Sequence, residues 1–219
     1  MSGLEENYRR LLDRIGTAAA RSGRDRAQVR LVGATKRVEA ARIRRAIELG
    51  LNDIGENRVQ EAEGKLAALA PTGVRCHLIG HLQSNKARRA LDLFTSIQSV
   101  DSFELAGRLD RMLDRRFPVF IQIRSAEEST RSGVLESDLP QLVQAVRDSR
   151  WLDLDGFMAI PPFFEDPEDG RLCFRRLREL RDAHDVRELS MGMSHDFEVA
   201  IEEGATQVRI GTALFGERT

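Results

Sequence analysis

Lysine is nearly missing from this chain: 219 residues carry 31 arginines and only three lysines, Lys36, Lys65 and Lys86. A generic surface cation here is an arginine, so each remaining lysine is a candidate for work that only an amine can do. Arginine stays protonated, whereas a desolvated lysine can lose its proton and attack a carbonyl. Cysteine is equally sparse. Cys76 and Cys173 lie far apart and form no C-x-x-C pair, which argues against a disulfide framework or a zinc site and suits two partly buried thiols in a reducing interior. Net charge almost vanishes as well, because 34 basic and 35 acidic side chains leave −1. No field is built to attract a nucleic-acid backbone or an anionic membrane, and only local patches could bind phosphate. No segment approaches 18 uninterrupted apolar residues, and the opening "MSGLEENYRRLLDRIG" has no cationic stretch followed by an apolar one. The expectation is a soluble, cytoplasmic, metal-free chain with no nucleic-acid or membrane partner.

Alternation, by contrast, is abundant. Leu4, Leu11, Leu12 and Ile15 stand at helical spacing before Ser22-Gly23, so a first amphipathic helix of about 20 residues is expected. Short apolar runs then read as strands at 29–35, 52–55, 75–80, 95–100, 118–124, 154–159, 187–191 and 206–210, each followed by a stretch of helical period such as "NRVQEAEGKLAAL" or "SDLPQLVQAVRDS". Strands alternating with helices imply parallel pairing through right-handed crossovers. Eight such units fit an α/β fold of the (β/α)8 TIM barrel type with an additional N-terminal helix, a single domain over 1–219. Pattern alone leaves an open doubly wound sheet as the other arrangement.

Barrels place their sites at the carboxyl ends of the strands. After strand one comes Lys36, after two "GENR", after three "GHLQSNK", after six "MAIPP" and the Pro/Gly-rich loop "PPFFEDPEDG", after seven "SMGMSHD", after eight "RIGTALFG". Loops seven and eight, with the start of a short helix, match the usual place of a barrel phosphate site, where Ser194, Gly211 and Thr212 would donate to phosphate oxygens. The same residues also read as plain helix starts, with Ser194 and Thr212 as N-caps. Lys36 ends the first strand at the mouth; its bland reading is a rim ion pair with Glu39 or Glu56. Lys65, between acidic and apolar helical positions, reads as solvated or snorkelling, and Lys86 as ordinary surface or a weak anion contact. An amine facing a phosphate cradle suits an aldehyde that carries a phosphate, and pyridoxal 5'-phosphate (PLP) is the common molecule with both. Arg209, on the same strand face as Gly211, is the candidate neighbour of its pyridine nitrogen. A phosphate-ligand barrel enzyme without PLP would instead need a rim carboxylate, for which Glu56 and Asp196 are available. The arginine-rich "RLCFRRLRELRDAH" reads as a solvated face, with an interaction surface or a second phosphate site as alternatives.

At these residues the chain resembles the pyridoxal phosphate homeostasis protein family, whose barrel resembles the N-terminal domain of alanine racemase. The likeness runs in order through "LVGATK", "GENRVQEAEGK", "HLIGHLQSNKARRAL", "SVDSFELAGRL", "IQIRSAEESTRSG", "LDGFMAIPP" and "LSMGMSHDFEVAIEEGATQVRIGTALFGER". It implies Lys36 as the Schiff-base lysine, Arg209 beside the pyridine nitrogen, and Ser194, Gly211 and Thr212 as the phosphate cradle. Asn57 and His81 would line the cofactor and Met158 would pack near its ring. The function so implied is intracellular PLP homeostasis, holding or delivering the cofactor, with transient contacts to apo PLP enzymes. The racemases that share this barrel add a second domain and a tyrosine from a partner subunit for the opposite face. This chain ends at residue 219 and its one tyrosine is Tyr8, in the first helix. A carrier acting as a monomer is therefore expected over robust catalysis, the alternative being a small PLP-dependent amino-acid racemase with His81 or water as the second base.

Overall fold

Strands β1 (Arg30–Ala34), β2 (Asp53–Glu56), β3 (Arg75–Leu78), β4 (Ser96–Val100), β5 (Phe117–Ile123), β6 (Leu152–Ala159), β7 (Glu188–Ser190) and β8 (Gln207–Ile210) pair in parallel in chain order. The last returns to the first, with Arg30 opposite Gln207 and Gly33 opposite Ile210, so the sheet closes and no edge is left unpaired. This is the (β/α)8 barrel expected from the alternation, and each strand falls within two residues of its anticipated ends. The computed structural model describes residues 3–124 and 132–217; positions 125–131, inside the motif "IQIRSAEESTRSG", lie outside the described residues.

The intervening helices are α2 (Ala40–Glu48), α3 (Val59–Leu69), α4 (Ala87–Leu93), α5 (Phe103–Met112), α6 (Leu139–Arg147), α7 (Arg171–Ala183), α8 (Phe197–Glu202) and α9 (Thr212–Phe215). Outward strand residues such as Ile54, Leu78, Ile97, Phe157 and Val208 are fully buried in one apolar layer with Ile43, Ala62, Leu109, Leu142 and Ile201 of the helices. Truncating one of the large ones, such as Ile54, Leu78 or Leu142, to alanine would cost about 2–5 kcal/mol. Helix α1 (Gly3–Arg21) buries Leu4, Tyr8, Leu11 and Ile15 at helical spacing. It is tied to the last units of the barrel: Arg14 makes a bidentate pair with Glu198 at 2.9 and 2.8 Å, and Asn7 donates to the Leu214 carbonyl at 3.3 Å.

The inward face is unusual for a barrel, whose interior is ordinarily filled by branched apolar side chains. Asp53, His77, Ser96, Gln98, Ser190, Gln207 and Arg209 are all buried here. Burial of so many polar groups is tolerable because they satisfy one another. Asp53 takes a bidentate pair from Arg75 and a contact from His77 Nε2 at 2.9 Å, while His77 Nδ1 meets Ser96 Oγ at 2.7 Å. A second set, through Gln98 and Gln207, runs up to Arg209 and fixes the floor of the site.

Candidate functional site

At the carboxyl end of the strands lies a cavity of about 320 Å³. Six residues singled out from the sequence line it together: Lys36 after β1, Asn57 after β2, Ser194 after β7, and Arg209, Gly211 and Thr212 at the end of β8. Its apolar wall comes from Ile79 and Ile160, with Met193 and His195 flanking Ser194. None of these four was anticipated. Alternation could have found Ile160, which shares the inward face of β6 with Met158.

Lys36 is half-buried, and its amine makes no hydrogen bond or ion pair among the described residues. The expected rim partner Glu56 is engaged elsewhere, by Lys65. Far from being solvated, the Lys65 ammonium is largely screened from solvent and donates to the Thr35 carbonyl at 2.6 Å, to Glu56 at 2.9 Å and to Glu61 at 2.7 Å. The helical pattern of α3 put Lys65 among acids but could not show that its face packs on the end of β1. Glu56 also accepts from the Thr35 hydroxyl at 2.6 Å. Burial pushes the Glu56 carboxyl up, against the pull of Thr35 and Lys65. Glu61 is pushed up by burial but ends lowered, because Lys65, the Arg37 N–H and the charge of Lys36 outweigh it.

Arg209 is buried to 4 % exposure. Its guanidinium donates to the Ser190 carbonyl and hydroxyl at 2.7 and 2.9 Å and to the Ala159 carbonyl at 2.8 Å. Those acceptors make the burial tolerable and leave two of its five N–H donors for a ligand. Desolvation lowers its pKa to about 10, with Asp196 opposing. Across the cavity the two glycine-containing loops meet, since Ser194 Oγ accepts the Ala213 N–H at 3.2 Å. Ser194 is thus a cap on α9, and Thr212 opens that helix, where N–H groups have no intrahelical acceptor. Gly192 adopts φ +89, and a Cβ there would stand 2.6 Å from Ala200 Cβ, so the β7–α8 turn requires glycine.

Two of the anticipated residues stand apart. His81 is exposed and reaches Ser132 Oγ at 3.0 Å and Asp101 at 3.4 Å; it lines a neighbouring polar cavity of about 580 Å³ that shares Lys36 and Asn57 with the first. Met158 is fully buried within the barrel, opposite Ser190, one inward step below Ile160. The rim carboxylates are committed as well: Glu56 to Thr35 and Lys65, and Asp196 to the Met193 N–H at 2.6 Å. On α7 the arginines meet acids, with Arg171, Arg175 and Arg178 converging on the buried Glu203. Their charge is neutralised within the fold, which leaves little for a second phosphate. The "PPFFEDPEDG" loop closes on the rim through His195, whose Nε2 meets the Phe164 and Glu165 carbonyls at 3.1 Å each.

A profile of the alanine racemase N-terminal domain matches residues 4–219. Proteins named pyridoxal phosphate homeostasis protein are 43 % identical in Aquifex aeolicus, over 97 % of both chains, and 44 % identical in Pseudomonas aeruginosa, over all of this chain and 97 % of that one. The chain belongs to the pyridoxal phosphate homeostasis protein family. The structure of PipY from Synechococcus elongatus, solved with PLP bound, superposes at a TM-score of 0.78 with 37 % identity, covering 94 % of this chain and 99 % of PipY. Alanine racemase from Corynebacterium glutamicum shares the fold at a TM-score of 0.69 and 18 % identity, this chain spanning 60 % of that enzyme. No described helix is long and apolar enough to cross a membrane, and no cluster of metal-ligating side chains occurs among the described residues.

Proposed function

We propose that this protein binds PLP covalently through Lys36 and serves intracellular PLP homeostasis, holding the cofactor and handing it to apo enzymes through transient contacts. The observation that carries the reading is the composition of one cavity: an uncommitted lysine amine, a buried guanidinium with donors to spare, and the Ser194 and Thr212 hydroxyls. That donor set fits an aldehyde, a ring-nitrogen acceptor and a phosphate, so the residues present suit PLP. When bound, PLP supplies an electrophilic aldehyde and an electron-withdrawing ring. Lys36 Nζ would be the amine that condenses with the aldehyde, releasing water. Arg209 would be the donor to the ring nitrogen, and an arginine there would favour the unprotonated ring and limit electron withdrawal. Ser194, Gly211 and Thr212 would hold the phosphate, with Asn57 on the β2 side of the cavity beside the ring.

The rival reading, a small amino-acid racemase, has one feature in its favour. His195 lines the cavity, and its Nε2 faces two carbonyl oxygens, so that nitrogen carries the proton and Nδ1 is the other ring position. Tyr8, by contrast, sits with its hydroxyl against Gly50 in the turn between α2 and β2, at the opposite end of the barrel. Borohydride reduction of the PLP-loaded protein followed by peptide mapping tests the binding site. The pyridoxyl group is expected on Lys36; finding it on Lys65 or Lys86, or nowhere, would overturn the assignment. Incubation with D- or L-alanine in deuterated water separates the functions, since a carrier shows no turnover-scale exchange at Cα.

A further inference from the structure

We infer that Lys65 and Glu61 are positioning residues for Lys36: between them they grip the two peptide groups on either side of it and so set where its amine stands. Lys65 holds the carbonyl of the preceding residue, Thr35, at 2.6 Å, and Glu61 accepts the N–H of the following residue, Arg37, at 2.5 Å. The two gripping groups are bonded to each other at 2.7 Å and stand one turn apart on α3. Lys36 is therefore carried between two points of one rigid helix, although it belongs to a loop.

The backbone supports the same reading. Arg37 adopts φ +58, a left-handed conformation that a non-glycine residue rarely takes without being held there. The chain leaves β1 by a sharp change of direction at the residue after Lys36, and the Glu61 carboxylate bonds the very N–H that this change exposes. Beneath the grip, Glu56 anchors Lys65 and the Thr35 hydroxyl, and its second oxygen is buried without a partner among the described residues. A buried ionic cluster is a poor stability device, since apolar residues of similar volume often serve the fold as well. Here its hydrogen bonds go to the backbone flanking one lysine.

The inference rests on Lys36 as the PLP-bearing residue, and its test separates the two claims. In the cofactor-free protein, trace acetylation with acetic anhydride and mass spectrometry report the reactivity of Lys36 relative to Lys86, which lies outside the grip. Glu61 is part-exposed, so Glu61→Ala leaves Lys65 paired with Glu56 and a near-native urea midpoint is expected. That variant should change the Lys36 to Lys86 ratio about fivefold and speed PLP loss from Lys36 by about tenfold. Glu61→Gln, which keeps an acceptor for the Arg37 N–H, should restore most of both. Lys65→Met should do at least as much as Glu61→Ala, its circular dichroism showing whether the fold is intact. Folded Glu61→Ala with wild-type labelling and wild-type PLP release would overturn the inference. An error in the PLP assignment would show instead in the wild-type protein, as a pyridoxyl group absent from Lys36.

Discussion

Arg209 and Ser190 are joined twice, because one guanidinium nitrogen donates to both the carbonyl and the hydroxyl of Ser190, at 2.7 and 2.9 Å. The hydroxyl donates onward to Gln98 at 2.8 Å, Gln98 to Gln207 at 2.8 Å, and Gln207 to Glu188 at 3.3 Å. Every donor points from the cation at the mouth toward the carboxylate at the start of β7, so the chain is polarised in one sense. The orientation of Arg209 is thereby set by residues that never reach the cavity.

Ser190→Ala should therefore act at a distance. It removes one acceptor of Arg209 and the donor to Gln98 in a fully buried place, and a loss of about 1–3 kcal/mol is expected in urea unfolding. Because Arg209 is then held by fewer bonds, the visible band of bound PLP should shift and PLP affinity should fall. A variant with wild-type stability and spectrum would show that the chain does not hold the guanidinium.

Asp53 gives the barrel interior a pH dependence. Burial alone would raise its carboxyl, but hydrogen bonds and charge from His77 and Arg75 outweigh burial and bring it from 3.8 to about 2. Since the folded value is the lower one, its stabilisation is complete above about pH 4 and is lost as the pH falls toward the folded value, a total of about 2 kcal/mol. The stability difference between wild type and Asp53→Asn should narrow by about 1 kcal/mol between pH 6 and pH 3. Urea titrations across that range measure it, and a constant difference would contradict the ion-pair account.

The barrel and half of the site were legible in the sequence because they depend on local order. Strand period, helix period and the residue after each strand are properties of neighbours in the chain, and Lys36, Ser194, Arg209, Gly211 and Thr212 all follow from them. Lys65 was misread because its partners Thr35 and Glu56 lie 30 and 9 residues away and meet it only when α3 packs on β1. Met158 came only from the family resemblance and lies one inward step below Ile160 of the cavity wall, because period two does not say which inward residue reaches the mouth. His81, also given by the resemblance, lines the adjoining cavity that shares Lys36 and Asn57, next to Gly80, which packs closely on Asn57.

The two thiols should be distinguishable by reaction. Cys76 is 2 % exposed, and burial, with the nearby Glu56 charge, pushes its thiol well up, so little thiolate forms. Cys173 lines an open apolar groove beside Pro161 and Leu172. A disulfide dye reagent should modify Cys173 in the native protein and Cys76 only after unfolding. Two equally fast equivalents would show that the α3–α4 side of the barrel opens readily.

Gly80→Ala tests the packing that places Asn57. A Cβ at this position would overlap the Asn57 carbonyl oxygen and stand 2.8 Å from Asn57 Cα. Both are backbone atoms, so no rotamer change relieves the clash, and the β2 and β3 loops must separate. The expected outcome is a loss of about 1–3 kcal/mol in urea unfolding. PLP binding should weaken along with it, because Asn57 is carried away from a cavity wall it shares with Lys36. Asn57→Ala supplies the comparison: it should weaken PLP binding at little cost in stability, since the side chain is only half-buried. If Gly80→Ala binds PLP as wild type does while unfolding more easily, the close approach serves the fold alone and Asn57 has no part in holding the ring.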